Sequence, residues 1–208
     1  VVPMLPDRLS NDLCSLHENV DRAVIAVRMV LDARGRKLSH RFTRGLIRSV
    51  AACAYEEVQA AQDGTPNARM EPLLAQVIRP LYAAYAATIE ARTARQPLDL
   101  DLPERKIELT PDGRVKSVAF KDRLDAHRLI DELMILANVW AAEELIRLRR
   151  PLLYRVHEEP SPEKIDALRE TAEASGFTLA KGQVLKTSAL NRLLEQAEGT
   201  EFDELMNV

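Results

Sequence analysis

A chain of 208 residues is long enough for one substantial domain or two small ones, and 46% hydrophobic with 29% charged residues is the composition of a packed core, which excludes a disordered chain. A net charge of −3 excludes polyanion binding through overall charge and leaves that role to local basic patches. No apolar run reaches the roughly eighteen residues that span a bilayer, and VVPMLPDRLS has neither the basic start nor the apolar core of a secretory leader, so a cytoplasmic protein without membrane contact is expected.

In chain order, the prolines of Val1 to Leu16 predict an extended start with a turn around Ser10 to Asp12. Ala23 to Leu31 is β-rich, Asp32 to Arg36 is a turn, and Lys37 to Thr43 returns as the antiparallel partner. Tyr55 to Gln62 is helical and ends at Asp63-Gly64. A longer helix is expected from about Ala68 to Arg95, kinked at Pro80 because proline lacks a backbone donor and clashes with the preceding turn. Leu98 to Leu102 and Lys106 to Leu109 alternate, Asp112-Gly113 turns, and Val115 to Phe120 completes a second hairpin. From Asp125 to Arg149, Ile130, Leu133, Ala137, Trp140, Ala141, Leu145 and Leu148 recur at helical spacing, with Ile130, Ala137, Trp140 and Ala141 as expected core contacts, and Pro151 stops the helix. Leu152 to Val156 is a short expected strand. Ser161-Pro162-Glu163 starts a helix that stops near Gly176, and a last helix covers Thr187 to Ala197. The fold class is α+β, long helices with antiparallel hairpins, not a βαβ winding.

The chain has no glycine-rich phosphate loop, nucleophile elbow, HExxH or CxxC. Cys14 and Cys53 have no metal-type spacing and read as buried structural thiols. Three features remain. Arg28, Arg34, Arg36, Lys37, Arg41, Arg44 and Arg48 lie on the first hairpin and its exit, with Asp32 as the one acid among them. That is either a phosphate track or an edge protected by charge from pairing. His127, Asp131 and Asn138 share one helix face, which either lines a cavity or is solvated, with Glu132 about 100° away and pointing elsewhere. Tyr55 either stacks on a base and bonds a ribose hydroxyl, or is a half-buried packing residue.

The motifs that carry these features resemble one family in order along the chain. VPMLP and LSNDLCSL at the start, RSVAACAYEEVQAAQDG over Arg48 to Gly64, LDLDLPE over Leu98 to Glu104, DAHRLIDELMILAN over Asp125 to Asn138, and LYRVHEEP with SPEKIDAL after it are similar to segments of the ribonuclease II and ribonuclease R catalytic (RNB) domain. The resemblance implies a 3′→5′ exoribonuclease that hydrolyses single-stranded RNA to nucleoside 5′-monophosphates with magnesium held by aspartates. It places those aspartates before VPMLP and the arginine motif after the last residue. Residues 1–208 are then the central part of the domain, with no catalytic residue or metal ligand of their own and no activity alone. Carried over by position, Tyr55 matches a tyrosine that contacts ribose near the RNA 3′ end. Asp131 matches a glutamate that helps recognise the 2′-hydroxyl, one methylene shorter here. Leu100 stands where the family stacks a phenylalanine on a terminal base, which makes a weaker clamp. Arg34, Arg36 and Arg41 are candidate phosphate contacts. The alternative is a non-catalytic homologue that serves as an RNA- or protein-binding module.

Overall fold

The computed structural model describes residues 4–98, 100, 105–120, 123–156, 158–179, 186–203 and 205. It is α+β and forms two compact units: residues 1–91 with 123–152, and residues 92–122 with 153–208.

The first unit is built on a long antiparallel ribbon, β1 (Asp21–Leu31) and β2 (Lys37–Arg48), paired from Asp21↔Arg48 to Leu31↔Lys37. The ribbon half-buries opposite faces at its two ends. Near the turn, Val27, Met29, His40 and Phe42 share one face and are half-buried. At the open end the half-buried residues are Arg22 and Val24 on the other face, with Arg22 donating to the Ser15 carbonyl at 2.9 Å and pairing with Asp12 at 2.8 Å. Ile25 and Leu46, on the face that is buried near the turn, are 74% and 69% exposed.

The ribbon's turn seats on a helix. Asp32 accepts the backbone N–H groups of Arg34 and Arg36, both at 2.9 Å, which closes the loop. Gly35 is buried with φ +70°, and a Cβ there would lie 2.7 Å from the Ala87 carbonyl carbon and closer still to its oxygen. Only glycine meets both the left-handed backbone and the contact with the small-residue face of Ala87 and Ala91.

That face belongs to a helical run in three parts: α2 (Glu71–Leu73), a π-helical turn (Leu74–Ile78) and α3 (Arg79–Arg95). The π turn directly precedes Pro80, and its wider ring absorbs the missing proline donor. The run starts at Glu71, not Ala68, because the Asn67 side chain accepts the N–H groups of Arg69 and Met70 at 3.0 and 2.9 Å and holds residues 68–70 in a turn. The preceding helix, α1 (Tyr55–Gln62), has the predicted bounds and packs Ala61 and Val58 against Met70, Leu73, Leu74, Ile78 and Tyr82.

The second unit holds the ribbon β3 (Arg105–Leu109) and β4 (Val115–Phe120), turned at Gly113 with φ +81°. It also holds α5 (Pro162–Ala174) and α6 (Thr187–Ala197), whose Ala172, Leu193 and Ala197 form a core with Leu179. Leu98 and Leu100 are not in a strand, and the rest of the alternating 98–102 stretch lies outside the described residues.

Several expectations are corrected. Arg8–Leu13 is a π-helical turn, which takes in the turn expected around Ser10 to Asp12 and reaches back into the stretch expected to be extended. Pro6 stands ahead of the turn, where its missing donor is harmless, and its carbonyl accepts from Leu9 and Ser10 at 2.8 and 3.0 Å. Leu152 to Val156 is not a strand, because its alternating residues have no partner strand among the described residues. Cys14 and Cys53 are exposed, one ending the π turn and the other in the loop before α1. In α4 (Asp125–Arg147) the buried stripe is Ala126, Leu129, Glu132, Leu136 and Trp140, while Ile130, Ala137 and Ala141 are only half-buried. Trp140 is 2% exposed, as expected. Glu132, expected to point away, is 1% exposed.

Gly35→Ala is expected to cost about 2–4 kcal/mol, from left-handed strain plus a backbone clash with α3. Urea unfolding at unchanged m-value measures it, and an unchanged midpoint would show that the turn does not seat on α3.

Candidate nucleic-acid interface

The loop that delivers Tyr55 is pinned at several points. Ser49 bridges to Glu18, whose carboxylate accepts the Ala52 N–H. Arg69 pairs with Glu18 and donates to the Ala52 carbonyl at 2.7 Å. Glu57 accepts the Ala54 N–H at 3.1 Å and an Asn67 amide proton at 3.1 Å. The Ala54 backbone bond above all, then Asn67, holds the Glu57 carboxyl below its ordinary range. In the same loop, partial desolvation pushes the Cys53 thiol up, against the pull of Arg69.

Gln59, one turn after Tyr55, ties α1 to the start of α4. Its carbonyl oxygen accepts the Ala126 N–H at 3.1 Å and the Tyr82 hydroxyl at 3.1 Å, and its amide donates to Asp63. Desolvation raises the Tyr82 phenol above its usual value, so it stays protonated and remains the donor. His127, in the first turn of α4, accepts the Leu124 N–H through Nδ1 at 3.2 Å, which leaves the proton of the neutral ring on Nε2. The Tyr55 and His127 rings then stack, with centroids 4.2 Å apart and planes 23° from parallel.

Tyr55 is thus held by one ring face. It is 41% exposed, and its hydroxyl has no hydrogen-bond partner among the described residues. Asp131 lies one helical turn beyond His127 on the same face and pairs with Arg123 at 3.1 Å. Asn138 is exposed farther along the helix. The structure therefore gathers Tyr55, His127, Asp131 and Arg123 around the α1–α4 contact. Sequence reasoning missed Arg123, which precedes the helix and has no helical periodicity, and Gln59, whose role depends on a contact 67 residues away. Leu100 is 38% exposed and belongs to the second unit.

The basic stretch divides into paired and unpaired cations. Arg34 faces Glu90 at 3.9 Å, Arg36 pairs with Asp32 at 2.7 Å, and Arg48 with Asp21 at 2.6 Å. Lys37 pairs with Glu143 and lies over the Trp140 ring, 4.9 Å from its centroid. Arg28, Arg41 and Arg44 have no acidic partner among the described residues. Also among the described residues, no three His, Cys, Asp or Glu side chains converge to hold a metal ion, and no helix is long and apolar enough to cross a membrane.

Replacing Gln59 with Leu leaves the buried Ala126 N–H and the Tyr82 hydroxyl unpaired, with an expected cost of about 1–3 kcal/mol in urea unfolding; a cost near zero would mean another group takes over the junction. Glu57, with its folded value lowered, contributes stability that is complete above the ordinary carboxylate range and is lost as pH falls through the folded value. Thermal stability of Glu57→Gln is therefore expected to fall less steeply on acidification than that of the parent chain, and parallel curves would contradict this.

The family model described as RNB domain matches residues 1–208. Ribonuclease R of Vibrio parahaemolyticus is 32% identical over 208 residues, 99% of this chain and 25% of that protein. Ribonuclease R of Thermotoga maritima is 34% identical over 199 residues, 95% of this chain and 28% of that protein. The chain thus spans about a quarter of the length of the curated relatives it matches. The apo form of Mycoplasma genitalium RNase R superposes with a TM-score of 0.88 at 25% identity, covering 99% of this chain and 32% of that one. The same protein in complex with ribose methylated single-stranded RNA gives the same values. With its motifs in family order and its fold shared over nearly the whole length, this chain belongs to the RNB domain family.

Proposed function

We propose that this chain is the RNA-holding part of a cytoplasmic 3′→5′ exoribonuclease that hydrolyses single-stranded RNA to nucleoside 5′-monophosphates, and that Tyr55 and Asp131 read the ribose near the 3′ end. The observation that carries this reading is the Tyr55 hydroxyl, unpaired among the described residues on a ring fixed by His127, one helical turn from a carboxylate. A phenol donates and accepts, and a carboxylate accepts. A 2′-hydroxyl satisfies both at once, whereas a deoxyribose leaves the pair unmatched. Arg123 orients the shorter Asp131 side chain and adds a cation suited to the adjacent phosphate. The Mycoplasma relative's complex with single-stranded RNA supports the choice of ligand. Leu100 contributes apolar contact to a base.

The family's chemistry is magnesium-assisted, and magnesium supplies charge neutralisation at the scissile phosphate. The role of this chain in that chemistry is to bind and orient RNA. The 208 residues alone should release no mononucleotides from labelled RNA in magnesium. Processive shortening above contaminant level would refute the purely RNA-holding role.

The ribose reading is tested by binding. The chain should prefer an all-RNA oligomer over one ending in deoxyriboses by about 5- to 150-fold, the ratio equivalent to about 1–3 kcal/mol. Tyr55→Phe with Asp131→Ala should bring that ratio close to one while affinity for the deoxyribose-ended oligomer stays unchanged. If the double variant discriminates as well as its parent, Tyr55 is a packing residue.

A further inference from the structure

The register of the first ribbon sorts its side chains onto two faces. On one, β1 contributes Ala26, Arg28 and Val30, and β2 contributes Ser39, Arg41 and Thr43, all exposed. The opposite face at the same level, Val27, Met29, His40 and Phe42, is half-buried, with His40 5.6 Å from the Trp140 ring. Arg28 and Arg41 are direct cross-strand partners. Like charges in that position repel and weaken a sheet. Elsewhere on the ribbon the cations are offset by acids: Arg22 by Asp12, Arg36 by Asp32, Lys37 by Glu143 and Arg48 by Asp21. The Arg28–Arg41 rung has none among the described residues, and no residue on its face of either strand is acidic. Arg44 also lacks an acidic partner, but it points to the other face.

From this juxtaposition we propose that the Arg28–Arg41 face is a second RNA contact, a phosphate-binding strip that grips the backbone without reading base or sugar. The inference rests on RNA being the ligand of the chain, and it deepens that reading by assigning the backbone to a surface separate from Tyr55. Two guanidinium groups on one rung present paired donors to phosphate oxygens, and the hydroxyls of Ser39 and Thr43 flank Arg41 along the strand. An anion between the arginines turns their repulsion into attraction. An acidic protein fits less well: the apolar side chains on this face, Ala26 and Val30, are small, and a protein interface is anchored by large buried side chains. Arg34 and Arg36, expected as phosphate contacts, are engaged with Glu90 and Asp32, so the cation pair assigned to phosphate shifts to Arg28 and Arg41.

The test is titration of the 208-residue chain with a fluorescent single-stranded oligoribonucleotide over a range of salt concentrations. Each phosphate contact on a single strand contributes about 0.7 to the slope of log affinity against log salt. Arg28→Ala with Arg41→Ala should therefore lower the slope by about 1.4 and leave the ratio of RNA to deoxyribose-ended binding unchanged. Arg28→Lys with Arg41→Lys should keep the slope, and Arg34→Ala with Arg36→Ala should barely change it. Removing the repulsive rung should leave the melting temperature unchanged or raise it, which separates lost binding from lost folding. The strip is overturned if the double alanine variant keeps the full slope, if the Arg34 and Arg36 variant loses as much, or if the parent chain shows no salt-dependent RNA binding. It is also overturned if polyglutamate binds as tightly with the same dependence on Arg28 and Arg41, which would assign the face to an acidic protein. Loss of ribose preference in the Tyr55 and Asp131 variants at full slope would leave the strip standing, so the two readings fail separately.

Discussion

The junction at Gln59 governs the rest of the candidate site. One side-chain oxygen accepts from the first turn of α4 and from Tyr82 on α3, while the opposite end of the same amide holds Asp63 at the close of α1. Three helices are thereby fixed at a point where a backbone N–H at a helix start would otherwise be buried without a partner. Tyr55 sits one turn before Gln59 and His127 one residue after Ala126, so the ring stack follows from this junction. Apolar packing of α1 on α2 and the π turn brings the helices together, and the amide sets their register.

The same unit spends its buried aromatic surface on the ribbon. Trp140 receives His40 at its ring and Lys37 over its face, and Glu144 approaches His40 Nε2 at 3.4 Å, an ion pair only when the imidazole is protonated. Glu144 is held below the ordinary carboxylate range chiefly by its hydrogen bond to Arg147, with His40 a smaller influence. Anchoring one face of a two-stranded ribbon leaves the opposite face in solvent, since side chains alternate. The ribbon's arginines thereby divide into those paired with acids and those without an acidic partner among the described residues. The Tyr55 surface presents a phenol beside a carboxylate, whereas the Arg28 surface presents guanidinium groups.

The sequence by itself determined the local elements. Tyr55 to Gln62 and Thr187 to Ala197 are helices with the predicted bounds, and Ser161-Pro162 starts α5, because these limits are written in short-range chemistry such as caps, prolines and Asp-Gly steps. The hairpin turns at Gly35 and Gly113 are legible for the same reason. The ordered motifs also identified the family and, through it, Tyr55 and Asp131 as candidates. Tertiary structure alone decided which stripe of α4 is buried. That helix is apolar over most of its circumference, so its periodicity finds Trp140 but does not choose between Ile130, Ala137 and Ala141 and the observed Ala126, Leu129 and Leu136; the position of α1 and the ribbon does. Tertiary structure also decided which cations are neutralised, since Glu90 and Glu143 reach the ribbon from helices more than fifty residues away. Charge pairing acts through space, and no local pattern encodes it.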